Sequence, residues 1–347
     1  MSSLPEEVIL EILSRLPVKP LLRFRCVSKP WLARIDSQEF IKLHLKQSLK
    51  TNTNRSLLLI DCYLYSSDFD SLDRAIELDH PLKTPQIGTE ILGSCNGLLC
   101  LYNSGEDAVL WNPSTRKYKK LPVSMMEVPH DVRVCRSVTY GFGYDEKSDD
   151  YKGSRLSLLF VINPCSFGTL ASGALHWLVN PKVKSDRTNL ILAFDLAVEE
   201  YRLVPQPDFY DKNSSMDVGV LGGCLTILCH RYRHRLDVWV MKEYGVKDSW
   251  MKLFSVTQPE TIRSFDYVRP VAYSKSGGEV LLGKDVKKLV WYDLNKKRVR
   301  NVRIQGAPDM FDLDICWGSL VSLGGNGEGN AECKEATSRR EEEKQEE

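Results

Sequence analysis

CNGLLCLYNSGEDAVLWNPSTRKYKKLP, residues 95–122, is the stretch that decides the fold. A glycine leads an apolar run of Leu, Cys and Tyr. A polar turn follows, then an aliphatic and aromatic run, a second turn at Asn-Pro, and a short closing run. Short segments rich in Val, Leu, Tyr and Trp, bounded by Gly, Pro, Asn and Asp, read as β-strands. The same order returns in SGALHWLVNPKVKSDRTNLILAFDLAVEEYRLVP (172–205), in GGCLTILCHRYRHRLDVWVMKEYGVKDSWMKLF (222–254) and in GGEVLLGKDVKKLVWYDLNKKRVRNVRI (277–304).

The leading glycines are Gly97, Gly173, Gly222 and Gly278. The later two intervals, 49 and 56 residues, lie near the roughly 50-residue period of kelch-like propeller blades. The first interval, 76 residues, falls between one period and two, which predicts a shortened blade there. Two outlying runs, SLLLID (56–61) and DICWGSLVSL (314–323), are expected to pair and shut the ring. KKLVWYDLNKKRVRNVR (287–303) reads as a strand with a polar outer face. Trp111, Trp177, Trp239 and Trp291 read as blade core rather than a sugar platform.

Before residue 50 the texture is helical. Ile9, Ile12, Leu13 and Leu16 fall on one stripe. Ser3 with Glu6 has the spacing of a capping box, and Pro5 suits a first helical turn. Pro17 stops that helix and Pro20 can open the next. Ser28 and Ser37 are N-cap candidates for a third and a fourth helix. A unit of about 45 residues cannot bury so many apolar side chains by itself. Pattern leaves two readings: a face for another chain, or a cap packed on the β domain.

The bulk properties exclude several classes. The 347 residues carry a formal net charge of +1, which gives no electrostatic case for nucleic acid. No apolar run reaches the length of a membrane span, and the acidic N-terminus lacks the basic region of a secretion signal. The ten cysteines are scattered with no CxxC pair and read as reduced thiols in a cytoplasmic or nuclear setting. Cys229, His230 and His234 have partial zinc spacing without a second pair. CHRYRHR (229–235) reads instead as a solvated strand end. No nucleophile elbow, Walker loop or dinucleotide fingerprint occurs, and GFGYD (141–145) is a strand-end turn. No cofactor is expected.

Residues 4–40, LPEEVILEILSRLPVKPLLRFRCVSKPWLARIDSQEF, resemble the F-box. The carrying positions are Leu4-Pro5, Leu16-Pro17, Leu21, and Cys26-Val27-Ser28-Lys29 with Trp31. The resemblance implies docking to a Skp-family adaptor and, through it, to a cullin and RING scaffold. It marks Leu4, Pro5, Ile9, Leu13, Leu16, Pro17, Leu21, Val27 and Trp31 as adaptor contacts or module core, without separating the two. Pro30 departs from the family pattern and is tolerable only near a helix start.

GSCNGLLCL (93–101), LWNPSTRKYKKLP (110–122), YGFGYDEKSDDYK (140–152), ASGALHWL (171–178) and AFDLAVEEYRLVP (193–205) resemble the plant F-box-associated domain, of the S-locus and immune-regulating type. The resemblance implies a kelch-like β-propeller or propeller-like domain. The expected organisation is an F-box over 1–48, a linker and first strands over 49–92, the β domain over 93–323 and a disordered tail over 324–347. After SDDYK the family continues with a hairpin that this chain lacks, which leaves ring closure open.

The function implied is a non-catalytic substrate receptor of an SCF-type ubiquitin ligase, binding a target protein on β-domain loops. Candidate loops are 103–107, 180–189, 231–235 and 243–248. The alternatives are an F-box scaffold acting outside a ligase, and a stand-alone β-domain hydrolase or sugar-binding protein with a helical cap.

Overall fold

The computed structural model describes residues 5–84, 88–103, 108–121, 137–158, 167–179, 189–207 and 214–323. Four helices come first: α1 (Glu6–Ser14), α2 (Val18–Phe24), α3 (Lys29–Ile35) and α4 (Gln38–Thr51). Local signals set most of their ends. The Ser28 hydroxyl accepts the Trp31 N–H at 3.4 Å, and the Ser37 hydroxyl accepts the Phe40 N–H at 3.2 Å. Pro30 falls in the first turn of α3, where its missing N–H is not needed. The capping box expected at Ser3 and Glu6 is not formed. Pro5 is the N-cap of α1 with no side-chain bond, Glu6 pairs instead with Arg34 of α3, and Ser3 lies outside the described residues. Asn52, in the left-handed region at φ 51°, ends α4.

Arg55 opens the β domain, with three residues between it and α4. Strands β1 (Arg55–Ile60) and β2 (Leu64–Asp68) flank a turn, and β3 (Ile76–Glu77) follows. The second blade is β4 (Thr89–Cys95), β5 (Leu98–Asn103), β6 (Ala108–Asn112) and β7 (Lys117–Lys120). A hairpin, β8 (Ser137–Asp145) and β9 (Asp150–Leu158), comes next. The third blade is β10 (Thr169–Ala171), β11 (Ala174–Val179), β12 (Leu190–Asp195) and β13 (Glu200–Val204). The fourth is β14 (Ser215–Leu221), β15 (Cys224–Arg231), β16 (Arg235–Met241) and β17 (Trp250–Thr257). The fifth is β18 (Val268–Tyr273), β19 (Glu279–Lys284), β20 (Lys288–Asp293) and β21 (Val299–Val302). Finally β22 (Asp312–Trp317) returns to the first blade, where it pairs antiparallel with β1 from Arg55↔Trp317 to Ile60↔Asp312. That pairing is the closure expected from the two outlying runs.

Five blades therefore have four antiparallel strands, and the hairpin takes a sixth position with two. The ring closes. The innermost strands β22, β4, β8, β10, β14 and β18 touch in that cyclic order. Sequence alternation in β8 explains how a two-stranded blade fills its place. Phe142 packs in the cluster of blade two with Leu92, Leu98 and Leu110. Gly141 and Gly143 face the other way. A Cβ at Gly141 would stand 2.8 Å from Leu175, and one at Gly143 2.7 Å from Leu170 and Leu196, so blade three comes up against bare backbone.

The core is a series of layers between neighbouring blades. One contains Leu57, Phe69, Leu281, Trp291 and Leu313, and another Leu58, Ile91, Leu101, Val109 and Trp111. Trp111, Trp177 and Trp291 are buried and Trp239 is half-buried. Strand β20 corrects the expectation of a polar outer face: Leu289 to Tyr292 are all buried, because a third strand is covered by both adjacent blades. A further repeat lies in the turns from third to fourth strand. Asn112, Asp195 and Asp293 each accept, through Oδ1, the N–H groups two and three residues on, as Asx-turns do.

Candidate functional site

The helical module separates the nine positions marked in the sequence. Leu13 and Leu21 lie inside its core, at 3% and 0% exposure, with Val18, Ile35, Phe40 and Ile41. Of the two alternatives, contact or core, these two fall to the core: α4 and the segment after β22 cover them. Ile9, Leu16 and Trp31 are half-buried, and Trp31 stands edge-on to Phe24 at 5.6 Å. Pro5, Pro17 and Val27 are exposed, Val27 at 63%. Leu4 lies outside the described residues. Exposed apolar side chains that the sequence did not single out as contacts are Val8, Ile12 and Leu32. The stripe pattern could have found them only once the covered side was known.

The module is held from within and from the β domain. The carbonyl of Leu16, just beyond the end of α1, accepts a hydrogen bond from Nε2 of buried His44 at 2.8 Å. Burial lowers the pKa of His44, so the ring is neutral and this carbonyl fixes its tautomer. The residues after β22 then enter the module. Leu320 is buried in the same cluster as Leu13 and Leu21, with Val321 packed against it.

Fully buried Asn112 of blade two holds that segment. Its Nδ2 donates to the carbonyls of Ser319 at 3.0 Å and Val321 at 2.9 Å, while its Oδ1 serves its own turn. The Gly318 N–H donates to the Asn54 carbonyl at 2.6 Å. Gly97 lets the segment pass: at φ 79°, a Cβ there would lie 2.4 Å from the Trp317 carbonyl oxygen. Lys42 of α4 adds an ion pair to Asp149 in the β8–β9 turn at 2.7 Å.

Topology assigns the loops to two faces. In antiparallel blades the turns between first and second strands and between third and fourth lie on one face. The remaining loops lie on the other. Asn54, Gly97, Ser114 and Asp149 all belong to the first, so the helices sit there. Loop 231–235 joins a second to a third strand and lies on the far face, as do Asn103, where β5 ends, and Asn189, next to β12, in the candidate loops 103–107 and 180–189. Residues 104–107 and 180–188 of these are outside the described residues. Loop 243–248 joins β16 to β17 and lies on the helical side.

The far face is best defined at blades four, five and one. Arg233 pairs with Asp266 at 2.6 Å. Asp285 Oδ1 accepts the N–H groups of Asp266 and Tyr267 at 2.8 and 2.9 Å. The Phe311 N–H donates to the Val286 carbonyl at 2.8 Å. Tyr267 stacks on buried His230 at 4.7 Å and donates to Asp217 at 3.3 Å. Burial holds the His230 pKa down to about 4, so Asp217, 3.7 Å from Nε2, faces a neutral ring at pH 7.

His234 is exposed in the turn while His230 is buried, and no group of three or more His, Cys, Asp or Glu side chains among the described residues could hold a metal. Between blades three and four, His176 Nδ1 donates to the Thr169 carbonyl at 3.1 Å and Nε2 accepts from Tyr244 at 2.7 Å. Its pKa is also held down to about 4, by burial.

The architecture is a four-helix module packed on one face of a closed β-propeller. Residues 1–43 match the family described as F-box domain, and residues 55–160 and 159–319 match two families described as F-box associated beta propeller domain. The chain is 36% identical to F-box protein CPR1 of Arabidopsis thaliana, over 95% of this chain and 91% of that one. It is 30% identical to F-box protein At4g22390 of the same plant, over 94% and 92%. It is likewise 30% identical to the F-box/kelch-repeat protein At3g23880, over 78% and 82%.

The chain belongs to the plant F-box proteins that carry an F-box-associated β-propeller. The alignment with CPR1 runs over 378 positions, more than the 347 residues here, so the relative holds segments this chain lacks. The two propeller matches meet at 159–160, where the two-stranded blade ends. The F-box implies binding to a Skp-type adaptor, and the family role is that of an adaptor for substrates. No helix among the described residues is long and apolar enough to cross a membrane.

Proposed function

We propose that this chain is the substrate-recognition subunit of an SCF-type ubiquitin ligase. The F-box docks a Skp-family adaptor, the adaptor joins a cullin and RING scaffold, and the far face of the propeller holds a target protein. The chain adds no reacting group. It raises the effective concentration of target lysines near the conjugating enzyme.

One observation carries this reading. Val8, Ile12, Val27 and Leu32 stay exposed although the module is packed on the propeller. A helical cap serving only the β domain would turn its apolar face inward. Here the covered side is already filled by Leu320, and a second apolar side is left for another chain. Such interfaces are dominated by a few anchors, Trp among the foremost, and half-buried Trp31 is the candidate for that part.

The test is reconstitution. Purified chain, Skp-type adaptor and cullin–RING scaffold should co-elute as one assembly. A chain that binds adaptor but is excluded from the cullin assembly would contradict the ligase reading and favour a scaffold outside it.

A further inference from the structure

The far-face loops of blades four, five and one form one continuous rim. The bonds joining Arg233, Asp266, Asp285, Val286 and Phe311 run unbroken across three blades. Along it four large apolar side chains stand in solvent: Tyr232 at 69%, Met310 at 51%, Val286 at 46% and Tyr267 at 37%. Solvated loops have no need of such a row, and adjoining exposed apolar groups mark interaction sites.

Two of the four are held in place. Tyr267 is fixed by its stack on His230 and its bond to Asp217. Val286 is held in a conformation it resists. It occupies φ 47°, and Asp285 before it φ 54°, in the three-residue turn between the paired Lys284 and Lys288. A β-branched residue in the left-handed region is an outlier, and such strain gathers where a side chain serves binding. The strained turn puts Val286 at the edge of a notch also lined by Tyr267, Lys284, Lys288, Phe311 and Leu313.

Charge selects the occupant. Asp266 is taken by Arg233, Asp285 by two backbone N–H groups, and Asp312 by Arg269. Exposed Lys287 and Lys288 have no ion-pair partner among the described residues, and Asp309 beside Met310 is the carboxylate of this stretch left without a cation there. We propose that this rim, as the target site of the receptor reading above, takes an extended protein segment presenting an apolar side chain next to a carboxylate. The apolar group packs on the exposed side chains of Val286 and Tyr267 at the rim, and the carboxylate meets Lys287 and Lys288.

The test uses the full chain bound to its adaptor and three sets of labelled twelve-residue peptides. Each has a central Leu or Phe, flanked by Glu, by Lys or by Gln, and binding is read by fluorescence polarisation. The Glu set should bind about three- to tenfold tighter than the Lys set, the size expected for two solvated ion pairs. Lys287→Glu with Lys288→Glu should invert that order. Val286→Gly should raise the melting temperature, because the turn is relieved, and weaken binding of every set. Equal binding of all sets, or an order unchanged in the double variant, overturns the proposal. Adaptor pull-down on the same samples keeps the two readings apart. Retained adaptor binding with no peptide preference removes the rim and leaves the receptor. Lost adaptor binding with retained preference does the reverse.

Discussion

Replacing Leu320, near the end of the described chain, should weaken a module formed by residues 5–51. Leu320 is 7% exposed and packs with Leu13, Val18, Leu21, Ile35, Phe40 and Ile41. Leu320→Ala removes its transfer free energy and leaves a cavity, which costs about 2–5 kcal/mol for a buried leucine. A four-helix unit of this size has little stability of its own to absorb that. At 1.4 kcal/mol per decade, protection of the α1–α4 amides from hydrogen exchange should fall by about 30-fold to a few thousand-fold. Adaptor affinity should fall with the folded fraction of the module, although Leu320 belongs to the module core and not to its exposed face.

Asn112→Ala approaches the same joint from the propeller side. It strips two carbonyls and two N–H groups of their partner at a fully buried position. Each group left unsatisfied costs about 1–3 kcal/mol. Hydrogen exchange by mass spectrometry reads both variants. Unchanged protection of α1–α4 in Leu320→Ala, with unchanged adaptor affinity, would refute the reading that the helices and residues 318–321 form one unit.

Acid should loosen the propeller, and buried His44, whose pKa is also lowered by burial, makes the helices respond with the same sign. His176 and His230 are buried, with pKa values held near 4 against an ordinary 6.5. Their contribution is complete above pH 6.5 and is lost as pH falls from 6.5 towards 4, to about 3 kcal/mol each at the limit. Urea midpoints at pH 7 and pH 5 should therefore differ, and His176→Gln should reduce the difference. Gly97→Ala should destabilise strongly, since the new Cβ meets the Trp317 carbonyl oxygen. Gly173→Ala, with the same sign of φ but open space around it, should cost only about 1 kcal/mol or slightly more. Thermal melts of the pair check this.

The sequence made legible whatever is set locally. Ser28 and Ser37 cap the helices they precede, and Asn96–Gly97 and Ser172–Gly173 take the paired positive φ of tight hairpins. The repeat spacing located the short blade, and 56–61 found its partner in 314–317. Illegible features depend on distant neighbours. Periodicity put Leu13 and Ile12 on one stripe, yet one is core and the other exposed, because α4 and Leu320 cover a single side. The ring closure expected of the run 314–323 is made only by its part up to Trp317, which is strand, and the rest clasps the helices. The Asp285–Val286 turn gave no signal, since no glycine marks its left-handed residues. Ring closure around a missing hairpin required knowing that Gly141 and Gly143 would let blade three approach.

The central claim is that the exposed apolar face of the F-box, and not its packed side, receives the adaptor. The most direct measurement is adaptor affinity of the full chain carrying Ile12→Asp with Val27→Asp, two changes at solvent-exposed positions. The account predicts an unchanged melting temperature and loss of adaptor binding by at least about a hundredfold, as for buried interface anchors. Undiminished binding in a folded double variant would contradict it.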